Sequence, residues 1–462
     1  MASKEFSIEP RPVVPVHTTY RTITGPTLPV EESLPVLEML RTNEPFSMRG
    51  QPPVVWDRAE KVSVYDAYGN RWLDWSSGVL VTNAGHGRKS IRDAIIAETE
   101  RGLLHTYCFS SVARAQLAAK LVEITPAPLT RAFILTTGSE ATECAIKLAK
   151  SWGMKHGGPD KGVIVSFEEA FHGRTMGAQL AGGIPALKDW IGTPDQTFVQ
   201  VPHPGSNIVF AKSFDMFERT LEEHNIKPEQ VAGVMSETYQ GGNAGFFPDE
   251  YAVKLREWCD RHQAVMIFDE VQAGFGRTGK MWGFEHHGIV PDLMCLGKGM
   301  SSSLPVAAVV GREDIMNQYG PGSMTSTHSG HPLGCVASLA SIELIERENL
   351  VENARVMGER LGRGLSDIQE RHREIFDLEG RGFVHALMAL KNRSDYEPDA
   401  DLAFDIILRC FEAGLLMFAP VGRGGGCVKI SPPLCIPADA IDEGLDVLGA
   451  VVDEAVAERN NE

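Results

Sequence analysis

None of the eight cysteines forms a C-x-x-C pair or joins a cluster with metal-ligand spacing. Neither a disulfide framework nor a metal site is expected, and free thiols of a reducing compartment are. Basic residues are in short supply: 44 Lys and Arg against 61 Asp and Glu leave a net charge of −17. That balance argues against nucleic acid or an anionic membrane as a partner, while leaving room for a local cationic site. No stretch is long and apolar enough to cross a bilayer, and the opening "MASKEFSIEPRP" lacks the apolar core of a signal peptide. The expected location is therefore cytoplasmic. There is no internal repeat and no low-complexity tract. What is present is ordinary for a globular protein: 462 residues, 43% hydrophobic and 23% charged, enough for two or three domains with substantial cores.

The first fifty residues are proline-rich and weakly patterned, which predicts an arm laid over the surface or over a neighbouring subunit. "KVSVYDAYGNRWLDWSSG" predicts a hairpin with Tyr68, Gly69 and Asn70 at its turn. From about residue 90, helical runs alternate with short apolar strands. The strand candidates are "RAFILT" (131–136), "GVIVSF" (162–167), "VAGVMSE" (231–237), "AVMIFD" (264–269), "DLMCLG" (292–297) and "VAAVVG" (306–311). This alternation predicts an α/β fold with a mostly parallel sheet wrapped by helices. After Pro332 the texture changes to an α+β unit, completed by the N-terminal hairpin. The expected division is an arm over 1–50, part of a small domain over 51–85, a large domain over 86–331 and the rest of the small domain over 332–462.

Ligands of open α/β sheets bind beyond the carboxyl ends of the strands, so the candidates are sought there. In "RAFILTTGSEATECAIKLAK" a strand turns tightly into a helix, and Thr137 and Glu140 have capping-box spacing. Gly138 lets another group approach the backbone, and a helix N-terminus beside a glycine suits a phosphate, although a plain capped helix fits the same residues. There is no G-x-x-x-x-G-K-[ST], which excludes a P-loop, and "GRGGG" (422–426) lacks the strand and helix of a dinucleotide site. Phe171 and His172 fall just past the next strand, where an aromatic is either core or the cover of a planar ligand. "VMSETYQGG" leaves Glu237 at its end, and "QAVMIFDEVQAGFGRTG" leaves Asp269, with Gln272 following. "DLMCLGKGMSSSLP" leaves Lys298 between two glycines among small and apolar residues, an unlikely place for a solvated charge. Desolvation and nearby cations lower an amine's pKa and make it nucleophilic. "TSTHSGHP" offers hydroxyls suited to phosphate.

One chemistry uses all of these at once. A pyridinium ring needs a buried carboxylate at its nitrogen, an amine for a Schiff base, an aromatic on its face and donors for its phosphate. Asp269 would keep such a nitrogen protonated, and Gln272 would reach the ring's phenolic oxygen.

In carrying "TGSEATECAIKLAK", "FHGRT", "IFDEVQAGFGRTG", "LGKGMSSSLP", "THSGHPLGC" and "VKISPPL" in order, the chain resembles the class III (4-aminobutyrate/ornithine-like) pyridoxal-phosphate aminotransferases of fold type I, from about residue 45 to the C-terminus. The resemblance implies a large domain with a mostly parallel seven-stranded sheet between helices, and a smaller α+β domain built from the two ends of the chain. It implies pyridoxal 5'-phosphate as cofactor, Lys298 as the Schiff-base lysine and Asp269 as the partner of the ring nitrogen. Gln272 would contact the phenolic oxygen, Phe171 would stack on the ring, and Gly138 and Ser139 would bind the phosphate. His172 and Glu237 fall among the cofactor contacts, and Thr327 would come from the neighbouring subunit. A homodimer with shared sites, or a dimer of such dimers, is implied, and no metal.

Three positions depart from the family, all on the substrate side. Where members read E-P-x-Q-G-E-G this chain reads "ETYQGGNAG", so that Glu237 is kept and the second glutamate is Gly242. That glutamate masks the carboxylate-binding arginine of ω-amino acid transaminases. The arginine itself, expected in R-x-x-P-P-L, is Lys429, a point charge in place of a two-pronged clamp. The dialkylglycine decarboxylase branch has a glutamine where Val79 stands, which weakens a decarboxylase reading. A lysine at 429 is also similar to the phospho-lyase branch. The expected activity is transfer of an amino group from an amine or amino acid bearing an anionic group to a 2-oxo acid. Elimination, racemisation and decarboxylation are the alternatives on the same scaffold. A protein that only binds the cofactor is opposed by the intact Lys298, Asp269 and Phe171.

Overall fold

The computed structural model describes residues 4–193, 195–205 and 213–459. The chain divides into two compact units, one from Met1–Arg88, Gly242–Ala244 and Glu352–Glu462, the other from Lys89–Gly241 and Gly245–Val351.

The larger unit is built on a seven-stranded sheet. Its strands are β1 (Leu129–Leu135), β2 (Val163–Phe167), β3 (Phe198–Val201), β4 (Val231–Glu237), β5 (Val265–Asp269), β6 (Leu293–Leu296) and β7 (Ala307–Arg312), in the order β3-β2-β4-β5-β6-β7-β1. Only β7 runs against its neighbours. Every residue of β2, β4, β5 and β6 is buried, as strands covered by helices on both faces must be. The sequence did not single out β3. It is a four-residue edge strand that alternates half-buried and buried residues, so it lacks the continuous apolar run of the central strands.

The helices of this unit include α1 (Lys89–Glu100), α2 (Val112–Glu123), α3 (Gly138–Gly157), α4 (Asp249–His262) and α5 (Pro332–Arg347). Helix α3 lays Ala141, Ala145, Leu148 and Ala149 into the core beside Ile267, Cys295 and Val309. These small side chains bring it close to the sheet: a Cβ on Gly153 would sit 2.5 Å from the Lys161 carbonyl and 2.7 Å from Ala232 Cβ. Helix α5 packs on α1 and α2 and buries Cys335, Ala337, Ile342, Leu344 and Ile345. The texture change after Pro332 is therefore the start of a helix of the larger unit, not the domain boundary expected there. The boundary lies between Val351 and Glu352, inside the continuous helix α6 (Leu350–Arg371). A break within one helix changes neither period nor composition, which is why the sequence does not mark it.

In the smaller unit Ser63–Tyr65 pairs with Arg71–Asp74, and the turn between them is held by Asp66, whose carboxylate accepts from the Tyr68 and Asn70 amides at 2.9 Å each. Trp72 stacks on Phe411 at 5.7 Å and donates its Nε1–H to the Phe411 carbonyl at 2.9 Å. The Leu73 amide donates to Gly414 O at 2.9 Å. These contacts tie the N-terminal hairpin to the C-terminal segment. A second sheet contains β8 (Phe376–Arg381), β9 (Val384–Asn392) and β10 (Cys427–Ile430). The described residues of the 1–50 segment, expected as an arm laid over the surface or over a neighbouring subunit, fall in this unit. Ile23 and Leu28 join the core with Val64, Trp72, Phe411 and Leu416, and Phe6 stacks on Phe404 at 4.3 Å. Extended, proline-rich backbone buries apolar residues singly, leaving no period to read.

Candidate active site

Strand register brings together what the sequence scatters. Glu237 at the end of β4 lies opposite Asp269 at the end of β5, and Asp269 lies opposite Cys295 of β6. Lys298 follows on the first residue of a short 3-10 turn, at φ +41°, a left-handed conformation that a non-glycine residue rarely adopts outside functional sites. Val271 wedges this corner together. A Cβ on Gly138 would meet its Cγ1 at 3.0 Å, and one on Gly297 would meet the same atom at 3.3 Å. The close approach that Gly138 permits is thus partly the approach of Val271, a neighbour 133 residues on that no local pattern reveals.

Lys298 is half-buried. Loss of hydration pulls its amine below the usual lysine pKa, and the negative charges of Asp269 and Glu237 only partly offset that. Asp269 is buried, with Oδ1 accepting from the Val271 amide at 3.0 Å and Oδ2 held by His172 Nδ1 at 2.8 Å. Burial works against a charge on His172, but the hydrogen bond and charge of Asp269, with Glu237 beyond, raise its pKa above the ordinary imidazole value. Its Nε2 is buried without a hydrogen-bond partner.

Helix α3 starts with Thr137, whose hydroxyl accepts from the Glu140 amide at 3.2 Å. The Glu140 carboxylate reaches back to the Thr136 amide at 2.9 Å, which completes the expected cap one residue further out. Although burial opposes its charge, hydroxyls of Ser326 and Thr136 and the amides of Thr136 and Thr137 hold this carboxyl below its usual range. The contact with Ser326 brings the neighbouring, exposed Thr327 to the same helix end within one chain. Ser139 sits against Gly173, whose φ is +128° and where a Cβ would lie 2.2 Å from Ser139 Oγ. Phe171 is half-buried, with the Arg174 guanidinium 5.7 Å from its ring centre, and its amide donates to Glu237 Oε2 at 3.1 Å. Glu237 Oε1 accepts from the Gly241 amide at 2.9 Å, and a Cβ on Gly241 would meet Glu237 Oε1 and Gln272 Nε2 at 2.5 Å each.

Glu270 was not assigned a part by the sequence and has one. Fully buried, its carboxyl takes the Gly283 and Phe284 amides at 2.8 and 3.0 Å and the Thr238 hydroxyl, tying the end of β5 to the loop beyond it. Burial pushes its pKa up to about 7. In the smaller unit, Lys429 lies on β10 opposite Ala386 and is 1% exposed. Val79 of the same unit is 44% exposed, at φ +62°.

The larger unit's corner suits pyridoxal 5'-phosphate by the chemistry of its donors: a weakly basic amine, a buried carboxylate braced by imidazole, an aromatic ring and the N-terminus of a 20-residue helix beside a serine. Among the described residues no group of histidine, cysteine and carboxylate side chains is arranged to hold a metal, and no helix is long and apolar enough to cross a membrane. Residues 46–452 match the family described as Aminotransferase class-III. The chain is 31% identical to 5-aminovalerate aminotransferase of Pseudomonas aeruginosa, over 90% of this chain and all of that one. It is 32% identical to 4-aminobutyrate aminotransferase of Escherichia coli, over 87% and 94% of the two chains. Among solved structures, an amine transaminase from an uncultivated Pseudomonas species, with the cofactor bound, superposes with a TM-score of 0.81 at 28% identity, over 87% and 95% of the chains. A transaminase from the marine bacterium Virgibacillus gives 0.83 at 26%, over 92% and 99%. The fold is that of the fold type I pyridoxal-phosphate enzymes. The chain belongs to the class III aminotransferases and moves an amino group between an amine or amino acid and an oxo acid.

Proposed function

We propose that the amino donor always carries an anionic group, that the acceptor is a 2-oxo acid, and that Lys429 holds the anion. The observation that carries this is a lysine ammonium at 1% exposure, an arrangement that is costly unless an anion or a set of polar groups compensates it. Position 242 offers no counter-charge. A Cβ there would lie 2.8 Å from Gly422 Cα, so the glycine is enforced by backbone packing. With no acidic side chain at 242, this reading favours substrates that present carboxylate, phosphonate or phosphate in both half-reactions.

In this reading Lys298 carries the cofactor, Phe171 covers the ring, Gln272 meets its phenolic oxygen, and Gly138 and Ser139 take the phosphate. Bound there, the cofactor supplies an electron sink for the bond broken at the amino-bearing carbon. Asp269 stays anionic and holds a proton on the ring nitrogen, while His172, donating from Nδ1, keeps that carboxylate aimed and charged. Glu237 fixes the Phe171 backbone. Lys298, less basic than an ordinary lysine, takes and returns the substrate proton at Nζ. Val79 lines the substrate side. The exposed Thr327 beside the α3 N-terminus supports a homodimer in which it serves the partner's site, and eight free thiols support a cytoplasmic location.

The test adds amines, amino acids and phosphorylated amines singly to the loaded enzyme and follows cofactor absorbance and product. Anion-bearing donors should transfer their amino group, and plain alkyl amines should do so poorly. Release of ammonia without transfer would replace transamination by elimination. Borohydride reduction and peptide mapping should find the pyridoxyl group on Lys298, and a label on another lysine would overturn that role.

A further inference from the structure

A cavity of about 290 Å³ opens in the larger unit at the amino ends of β5 and β6, the strands whose other ends carry Asp269 and lead to Lys298. Water takes up about 30 Å³ a molecule in the liquid, so the space suits one small ring compound. Its floor is Ala264, Val265 and the buried Asp292, and its walls come from the C-terminal ends of α3 and α4. Trp152 and His156 of α3 lie with their ring centres 3.7 Å apart. The Arg312 guanidinium, at the end of β7, lies 5.9 Å from the Trp152 ring centre. Much of the wall is therefore planar and offers π faces to a flat ligand.

Arg256 of α4, which lines the cavity, is incompletely satisfied. Its Nη1 donates to Asp292 Oδ2 at 2.9 Å and its Nη2 to Asp260 Oδ1 at 2.6 Å. Its Nε is buried and, among the described residues, has no hydrogen-bond partner. An unmade bond at a buried donor is costly, so the site calls for an acceptor. That acceptor is not an anion. Arg312 is spent on Asp292 Oδ1 at 2.8 Å and on the two oxygens of Asp314 at 3.1 and 2.6 Å. Two guanidiniums thus face three carboxylates, and two helix C-termini add the negative ends of their dipoles. Gln263 is a second pointer. It caps α4 at φ +51° and ψ +40°, a left-handed position where glycine or asparagine is usual. Glutamine there keeps a carboxamide, donor and acceptor together, at the exposed rim of the cavity.

We propose that this cavity binds a neutral planar ring bearing a carbonyl beside an N–H or NH2 group, of nicotinamide or nucleobase size. Arg256 Nε donates to the carbonyl, and Gln263 meets the amide edge. The site lies at the opposite edge of the sheet from the cofactor corner and does not depend on the substrate reading. Calorimetric titration of the holoenzyme with nicotinamide, cytosine and nicotinate tests it, with cofactor absorbance followed throughout. Nicotinamide or cytosine should bind, and the tighter of the two identifies the source of the ring. Nicotinate, with a carboxylate in place of the carboxamide, should bind about tenfold more weakly than nicotinamide; equal or tighter binding would overturn the neutral class. Arg256→Lys keeps a cation for Asp292 and Asp260 but removes the Nε–H, and should weaken binding about tenfold. Gln263→Gly suits the left-handed backbone, so it should melt no lower than the wild type and still lose about threefold to tenfold in binding. Trp152→Leu should lose about tenfold, the scale of one ring stacked on an aromatic, while Trp152→Phe keeps most of the affinity. If Arg256→Lys does not fold, Gln263→Gly decides. Binding that these variants leave unchanged, or that alters cofactor absorbance, lies elsewhere in the protein and sinks the proposal. If neither ring binds, water alone satisfies Arg256 and the proposal fails.

Discussion

At the scale of single residues, the candidate site sets the buried carboxylates of Asp269 and Glu237 at strand ends close to the half-buried Lys298. Asp269 has His172 on one oxygen and a backbone amide on the other, which fix its orientation. Asp269→Asn should keep the cofactor but lose roughly a hundredfold or more in kcat, the scale on which one preorganised electrostatic partner acts. Near-normal turnover would show that the ring nitrogen does not depend on it. His172→Leu should reproduce part of that loss, whereas His172→Asn, whose amide can still donate near the Nδ1 position, should recover most of it. Steady-state rates at saturating substrate separate the two. Lys429→Met should raise KM for the true donor by about tenfold to a hundredfold, the value of a charge-assisted hydrogen bond of about 1.5–3 kcal/mol, with cofactor absorbance unchanged. Unchanged affinity would move the anion site elsewhere.

At the scale of elements, the N-terminus of α3 and the loop after β5 are held by contacts with a measurable signature. The Glu270 carboxyl keeps its proton to about pH 7 in the folded chain, against an ordinary value of 4.5. Between those two values the folded state binds more protons than the unfolded one, so stability falls as pH rises, by at most about 1.4 kcal/mol per pH unit. Glu270→Gln removes this term, and its Tm relative to the wild type should climb from pH 5 to 7.5. A difference that stays flat over this range would mean that the folded carboxyl is anionic throughout. Gly153→Ala would press a methyl group onto the Lys161 carbonyl and Ala232, and should cost about 1–3 kcal/mol in denaturant titration, as overpacking does. Because α3 carries Gly138 and Ser139 at its other end, cofactor affinity should fall with it.

At the scale of the whole molecule, the arrangement to test is the shared site. Thr327 is exposed on a loop whose Ser326 bonds Glu140 at the start of α3, so two copies meeting there would bring two such loops to two helix ends. A Lys298→Ala subunit and a Thr327→Ala subunit, each weak alone, should form hybrids with one intact site and regain part of the activity. Verified heterodimers without that gain would show that each chain completes its own site.

The sequence by itself determined the strand ends and their cargo. Buried parallel strands must be continuous apolar runs, so a carboxylate or amine at the end of one stands out, and Asp269, Glu237 and Lys298 were legible for that reason. Motif order was enough for the family and the cofactor. What only the tertiary structure decided lies between residues far apart in the chain. The grip of His172 on Asp269 spans 97 positions, and Val271 fills the space left by Gly138 and Gly297. The closure of position 242 by Gly422 and the membership of α5 in the larger unit are of the same kind. Periodicity records which face of an element is buried, not which partner buries it. The left-handed turn at Val79 escapes the sequence for a further reason: valine there contradicts the local backbone preference, and only surrounding contacts overrule it.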